Sequence, residues 1–255
     1  MNFADLTWPD VEKLSRDVPV VIPIAAMEQH GPHLPLFTDS LLLGEVVRRV
    51  SEVMQDRILF TPLMWLGNSE HHIDFPGTLS AAPRTYIDLL NDMMENLLRH
   101  GFRRVVLLNG HGGNTTPGKQ AVFEIRQRHR ARKDLLLLFA NYWEASNARD
   151  GRKDFIQPGA SHACEWETSM VLQMAPHLVK DIAHLKTIPS GSVFEPAHRA
   201  WTTNDLTDLG YIGSPQAGTA EKGEHLFRAF TGSVCGMLEQ MIAWDGISWD
   251  TPPTV

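Results

Sequence analysis

The sequence predicts an α/β fold, with a mostly parallel sheet covered by helices on both faces. Three observations predict it. Four short runs, residues 20–26, 58–64, 104–108 and 135–141, are continuously apolar rather than alternating, as strands buried on both faces are. Amphipathic stretches at 40–54, 83–100 and 116–130 separate them, so strand and helix alternate as in βαβ units. The 255 residues are 43% apolar and show no break in composition, which predicts one domain spanning 1–255 with a large buried core.

The element ends carry their own signals. Pro83 suits a first helical turn, where its missing N–H costs nothing. Gly101 suits the stop of the same helix. After Trp143 the pattern changes. An irregular stretch runs over 144–161, a helix over 164–174, and a Gly/Pro-punctuated region over 189–218. A last helix covers 220–242. Long loops in a compact domain are usually functional lids or interface arms.

Composition excludes several classes of function. A formal charge of -7 argues against a general nucleic-acid-binding surface. The densest basic run, 126–133, ends a helix, where cations suit the dipole. Cys164 and Cys235 are too few and too far apart for a disulfide framework or a CxxC site. The opening MNFADLTWPD lacks a basic segment followed by an apolar run. No apolar run approaches the ~20 residues of a membrane span. The expectation is a soluble, cytoplasmic protein with no nucleic-acid or membrane partner.

Ligands of open α/β sheets bind beyond the C-terminal ends of the strands. The first strand runs into Met27-Glu28-Gln29-His30-Gly31-Pro32-His33. Glu28 and His30 are two apart, so in extended chain they point to the same side. Asp39 follows nine residues after His30, near the start of the next helix. The third strand runs into Asn109-Gly110-His111-Gly112-Gly113-Asn114, a turn whose glycines permit positive φ and close approach to a ligand. Ser161-His162-Ala163-Cys164-Glu165-Trp166-Glu167 adds one histidine and two carboxylates at a helix start. Glu165 and Glu167 are two apart, so on a helix only one of them faces the site. His71 and His72 are adjacent, so at most one is expected to face it.

His and carboxylate donors together suit Zn²⁺ or Mn²⁺. A carboxylate between two ions, as Asp39 is placed to be, allows a two-metal site. Each residue alone also has a plainer reading. Asp39 suits a helix N-cap, Glu28 a surface carboxylate, His111 a tight turn, Trp143 the core, and either glutamate a helix-dipole partner. The Gly-rich turn lacks GxGxxG spacing and no GK[ST] follows it, which leaves a nucleotide-binding oxidoreductase as the weaker rival. Convergence of two strand ends on one sheet edge favours metal. Arg84, Arg149, Arg152 and Lys153 are candidate contacts for an anionic substrate.

These residues also carry a resemblance. The stretch from Pro23 to Pro35, with Thr38-Asp39, resembles the G-x-x-E-Q-H-G-x-H-L-P-x-x-T-D segment of the creatininase (creatinine amidohydrolase) family, with Ala25 in place of the first Gly. His72 before Phe75-Pro76-Gly77-Thr78, the Asn109–Asn114 turn, His162-Ala163 with Glu167-Thr168-Ser169, and Gly210, Gly213 and Pro215 leading to Ala220 and Gly223 extend the likeness along nearly the whole chain. The resemblance implies a creatininase-like three-layer α/β/α sandwich, assembled as a homo-oligomer, often a hexamer. It implies a binuclear site for Zn²⁺ and/or Mn²⁺, with Fe²⁺ also admitted. Glu28, Asp39 and His111 would hold one ion; His30, Asp39 and Glu167 would hold the other.

Under the same resemblance a metal-bound hydroxide attacks the carbonyl of a small cyclic or formyl-type amide. His162 serves as the catalytic proton shuttle beside Glu167. Trp143, His72, Gly112 and Gly113 fall in the substrate-binding region. One departure stands out. Creatininase proper carries a ligand glutamate two residues after the histidine matched by His111, and here that position is Gly113. The change is expected to leave a coordination position for water or substrate. It also points away from creatinine, towards branches that act on formamides, trim a peptide, or open keto-inositols.

Overall fold

The computed structural model describes residues 1–144, 148–149, 151–189, 191–194 and 196–248. Parts of the irregular stretches, at 145–147, 150, 190 and 195, lie outside these residues. The elements are α1 (Trp8–Lys13), β1 (Val20–Ile24), α2 (Thr38–Met54), β2 (Leu59–Phe60), α3 (Pro83–Arg99), β3 (Arg104–Asn109), α4 (Thr115–Arg128), β4 (Leu136–Asn141), α5 (Glu165–Met174) and α6 (Ala220–Ala243). All four strands are parallel, in the order β2-β1-β3-β4.

Each apolar run divides its side chains between two cores. Val20, Ile22 and Ile24 of β1 and Val105 and Leu107 of β3 pack under α3 and α4. Val21 and Ala25, with Val106 and Leu108, pack under α2, α5 and α6. Alternate side chains enter opposite faces, so strands covered on both sides must be apolar throughout. This is the expected α/β/α layering.

Two details depart from the sequence reading. The second strand is two residues long rather than the seven of 58–64. Pro62 has no N–H, and Pro23 opposite it has none either, so the ladder cannot continue. Single bonds replace it: Thr61 N–H to the Val21 carbonyl, Met64 N–H to that of Pro23, and Ala25 N–H to that of Met64. Helix α1, opened by a Thr7–Asp10 capping box, lay outside the predicted elements. Among the described residues, no helix is long and apolar enough to cross a membrane.

The topology places the site. From β1 the chain passes through α2 to β2 on one side. From β3 it passes through α4 to β4 on the other, and α4 lies on the opposite face from α2. The connections diverge between β1 and β3, which opens a crevice at their C-terminal ends. Glu28 and His30 follow the first of these strands and His111 the second.

Candidate metal centre

The crevice is walled by segments pinned to the strand ends. Beyond β1, the Glu28 N–H bonds the Leu36 carbonyl at 2.9 Å, and the Gln29 N–H bonds Thr78 Oγ1 at 3.1 Å. Gly31 turns the chain at φ +63, a backbone conformation that favours glycine. Ser40 Oγ then donates to the Ala26 carbonyl at 2.8 Å and ties the start of α2 back to β1. That tie brings Asp39 home. Asp39 is not an N-cap: it lies inside the first turn, and its Oδ2 has no hydrogen-bond partner.

Beyond β3, Asn109 braces the turn. Its Nδ2 donates to the His111 carbonyl at 2.6 Å and to Asn141 Oδ1 at 2.7 Å, and its Oδ1 accepts from the His111 N–H. The turn does not use positive φ as expected. His111 is extended at φ −140, and Gly110, Gly112 and Gly113 do not appear in the left-handed region. These glycines serve close approach instead. A Cβ at Gly110 would come within 2.8 Å of Leu43 Cβ, and one at Gly113 would overlap the Asn68 carbonyl oxygen. Around Gly112 there is open space.

Five predicted residues converge. His111 bridges two carboxylates, with Nε2 3.2 Å from Glu28 Oε2 and Nδ1 3.0 Å from Asp39 Oδ2. His30 Nε2 lies 3.2 Å from Asp39 Oδ1 and 3.9 Å from Glu167 Oε1. Asp39 thus stands between the two histidines, one on each carboxylate oxygen. Glu28, His30, Asp39 and His111 are all at least 97% buried. Yet both oxygens of Glu28, Oδ2 of Asp39 and Oε2 of Glu167 lack any hydrogen-bond partner. Buried carboxylate oxygens are seldom left so, because desolvation is costly without a partner. A divalent cation would supply that partner, and the mixed oxygen and imidazole donors suit one.

The protonation pattern carries the same strain. Burial alone would lower the His30 pKa, but the charge of Asp39, seconded by Glu167 and Glu28, holds it at about 10. Burial opposes the charge of His111 too, yet Glu28 and Asp39 raise it well above the ordinary range. Burial lifts Glu167 to about 7 against the pull of His30. His162 goes the other way. Burial, together with His30, His72 and His111, drives it well below the ordinary value, so it stays neutral.

His162 precedes α5 and stacks on His72, with ring centroids 4.1 Å apart and planes at 28°. Its Nδ1 lies 3.5 Å from Glu28 Oε1 and its Nε2 2.9 Å from the Gln29 carbonyl. The next residue, Ala163, is held at φ +49, an uncommon conformation for a residue with a Cβ. Gln29 orients both rings. Its Oε1 accepts from the Gly31 N–H, so its amide nitrogen faces His72 Nδ1 and His162 Nε2, each at 2.9 Å. With donors at Nδ1, His72 carries its proton on Nε2, 3.3 Å from Glu28 Oε1.

Glu165 and Glu167 divide their duties as their spacing required. Glu167 faces His30. Glu165 turns away, pairs with Lys222 Nζ at 2.6 Å, and accepts the N–H groups of Ile156 and Gln157. The expectation for His71 and His72 was wrong. They lie on one 3₁₀ turn, Glu70–His72, and both reach Glu28: each joins it in a cluster of donor atoms within 4.8 Å of one another. Gly113 backs directly on the His71 ring, since a Cβ there would meet His71 Cε1 at 2.7 Å. Trp143 follows β4, meets Tyr142 edge-on, and packs against the core; no ring contact joins it to the cluster. Arg152 is engaged by Asp154 and Glu221. Sequence reasoning missed Gln29, Trp201 and Thr203. Gln29 stood inside the motif, but nothing local marked the other two.

Comparison with known proteins agrees with this geometry. The sequence matches the creatininase family, described as creatinine amidohydrolase, over residues 4–238. It is 29% identical over 232 residues to the mycofactocin precursor peptide peptidase of Mycolicibacterium smegmatis, covering 88% of this chain and 85% of that one. It is 29% identical over 269 residues to the creatinine amidohydrolase of Pseudomonas putida, covering 98% and 97%. A 3-dehydro-scyllo-inosose hydrolase of Thermotoga maritima is 27% identical over 197 residues, which span 74% of this chain and 61% of that one. A solved creatininase in a Mn form superposes with a TM-score of 0.80 at 26% identity, over 94% of this chain and 98% of that one. A variant in a Zn–Zn form gives 0.79 at 25%, with the same coverage. Fold, buried donor cluster and sequence agree, and the chain belongs to the creatininase family of hydrolases.

Proposed function

We propose that the chain is a metal-dependent amidohydrolase that cleaves a C–N bond of a small, non-peptide substrate, a cyclic or formyl-type amide. The observation that carries the reading is the set of buried carboxylate oxygens of Glu28, Asp39 and Glu167 without hydrogen bonds, facing His30 and His111. In this reading Glu28, Asp39 and His111 hold one divalent ion. His30, Asp39 and Glu167 hold the other, and Asp39 is shared. Related creatininases in Zn–Zn and Mn forms support Zn²⁺ and Mn²⁺, with Fe²⁺ also admitted.

When bound, the ions supply a water nucleophile at neutral pH and polarise the scissile carbonyl. The protein's own groups do the rest. Glu167, with Oε1 3.9 Å from His30 Nε2 and its carboxylate clustered with His162, is placed to take a proton from the attacking water. His162 is neutral and wedged between His72 and His30. From there it takes up that proton from Glu167, whose donor atom lies within 4.8 Å of its own, and hands it on to the departing nitrogen. His72 steadies Glu28 and flanks the substrate, Gly112 leaves room for it while Gly113 lets its backbone approach, and Trp143 closes the pocket side beyond β4. The assembly in this reading is a homo-oligomer of hexameric type in the cytoplasm, with no nucleic-acid or membrane partner.

The test is metal analysis of chelator-free protein, joined to a hydrolysis screen with Mn²⁺ and Zn²⁺. The screen covers creatinine, formamidopyrimidines, short peptides and cyclic keto-polyols. Two ions per chain and turnover of a small amide are expected. Turnover confined to peptides or keto-polyols would move the substrate to the class of the Mycolicibacterium or Thermotoga relative. Absence of metal, with His30→Ala as active as the parent, would sink the proposal.

A further inference from the structure

We propose that His71 is an additional ligand to the ion held by Glu28 and His111, an assignment that rests on the metal reading above. His71, Glu28 and His111 each offer a donor atom, and the three atoms lie within 4.8 Å of one another. Neither ring nitrogen of His71 has a hydrogen-bond partner among the described residues, although the residue is largely buried. Both oxygens of Glu28 are likewise without hydrogen bonds and buried. Imidazole nitrogens and carboxylate oxygens left unpaired in one small volume are what a divalent ion needs.

The surroundings hold the ring for that purpose. Thr203 Oγ1 contacts the His71 carbonyl at 2.7 Å and His72 Nδ1 at 2.6 Å, which fixes the backbone of the turn. Trp201 meets the His71 ring edge-on, with centroids 5.1 Å apart and planes at 90°. On its other side the ring lies nearly parallel to that of His111, at 5.8 Å and 15°. Gly113 makes the arrangement possible. Any side chain there would start against His71 Cε1 and the Asn68 carbonyl. The neighbouring His72 is spoken for: its Nδ1 accepts from Gln29 and its Nε2 carries the proton. The two histidines on one turn therefore divide into a ligand and a neighbour of Glu28 held in place by Gln29 and Thr203. The ion at Glu28 would then have two imidazoles from two separate loops, with the Trp201 ring against the outer one.

The test is titration of the chelated full chain with Co²⁺ and Zn²⁺, read by the visible Co²⁺ spectrum and by ion stoichiometry. In His71→Gln, affinity for one of the two ions is expected to fall by at least about tenfold, with a changed Co²⁺ spectrum. The other ion is retained. His71→Asp supplies an oxygen donor and is expected to recover part of the lost affinity. A His71→Gln protein with the parent's spectrum and an affinity within about twofold would overturn the assignment and leave the metal site standing. Loss without recovery in His71→Asp would overturn it in favour of simple packing. A parent chain that binds neither ion would overturn the metal reading itself.

Discussion

Replacing Lys222 by methionine isolates the role of Glu165. Glu165 is fully buried and Lys222 nearly so, and their 2.6 Å contact joins α5 to α6. Removing one partner of such a pair typically costs 3–5 kcal/mol, because the other charge stays buried without compensation. Here Glu165 keeps two hydrogen bonds, from Ile156 and Gln157, at 2.9 and 2.8 Å. Those place the loss at the lower end, about 3 kcal/mol. In a chain of this size 1 kcal/mol shifts the melting temperature by about 2–4 °C, so a fall of about 6–12 °C is expected. Thermal unfolding followed by circular dichroism measures it. The double variant Lys222→Met with Glu165→Gln should recover much of the loss, since a neutral amide oxygen still accepts from Ile156 and Gln157 and leaves no stranded charge. A single variant within 2 °C of the parent, or a double variant no better than the single, would refute the argument. Glu167→Gln is the contrasting case. It should lose metal without losing stability, because the ion partner of its carboxylate among the described residues is His30 at 3.9 Å, and a glutamine oxygen still accepts from the Ala163 backbone.

Three further outcomes follow. Asp39→Asn should lose both ions while His111→Ala loses mainly one, measured as metal per chain after gel filtration; equal losses would deny Asp39 its bridging place. His162→Gln should keep its metal and lose about 10²–10⁴-fold in turnover, read as kcat against metal content; turnover near the parent's would move the proton shuttle elsewhere. Chelated protein should lose stability as pH rises from about 6.5 to about 10. His30 is held at about 10 when folded against 6.5 for a free side chain, so the folded state binds the extra proton in that window. Its stabilisation is complete below the window and gone above it. Melting temperature against pH shows this, and His30→Gln should flatten the slope; an unchanged slope would contradict the assignment.

The legible part of the site follows from sequence-local physics. Glu28 and His30 share a side because extended chain alternates. His111 arrives beside them because parallel strands end at a common edge, here with Ile24 opposite Asn109. Only one of Glu165 and Glu167 faces His30 because helical residues two apart diverge. A 3₁₀ turn is different. Its residues lie about 120° apart, and whether two neighbours reach one point depends on where that point lies. The adjacency of His71 and His72 was therefore uninformative. The Gly-rich turn misled in another way, since a glycine that admits a neighbour's ring looks in sequence like one that admits positive φ.

The family resemblance singled out Glu167 over Glu165; by itself, the sequence determined the α/β layering, the strand ends that carry chemistry, and the candidate donors Glu28, His30, Asp39 and His111. Continuous apolar runs and fixed spacings suffice for those. The tertiary structure alone decided three things: that Glu165 serves Lys222, that Gln29 orients His72 and His162, and that Trp201 and Thr203 close over His71. Lys222 lies 57 residues from Glu165, Gln29 lies 133 from His162, and Thr203 lies 131 from His72. Contacts across such separations are set by how helices and loops pack on the sheet, and no local periodicity encodes that packing.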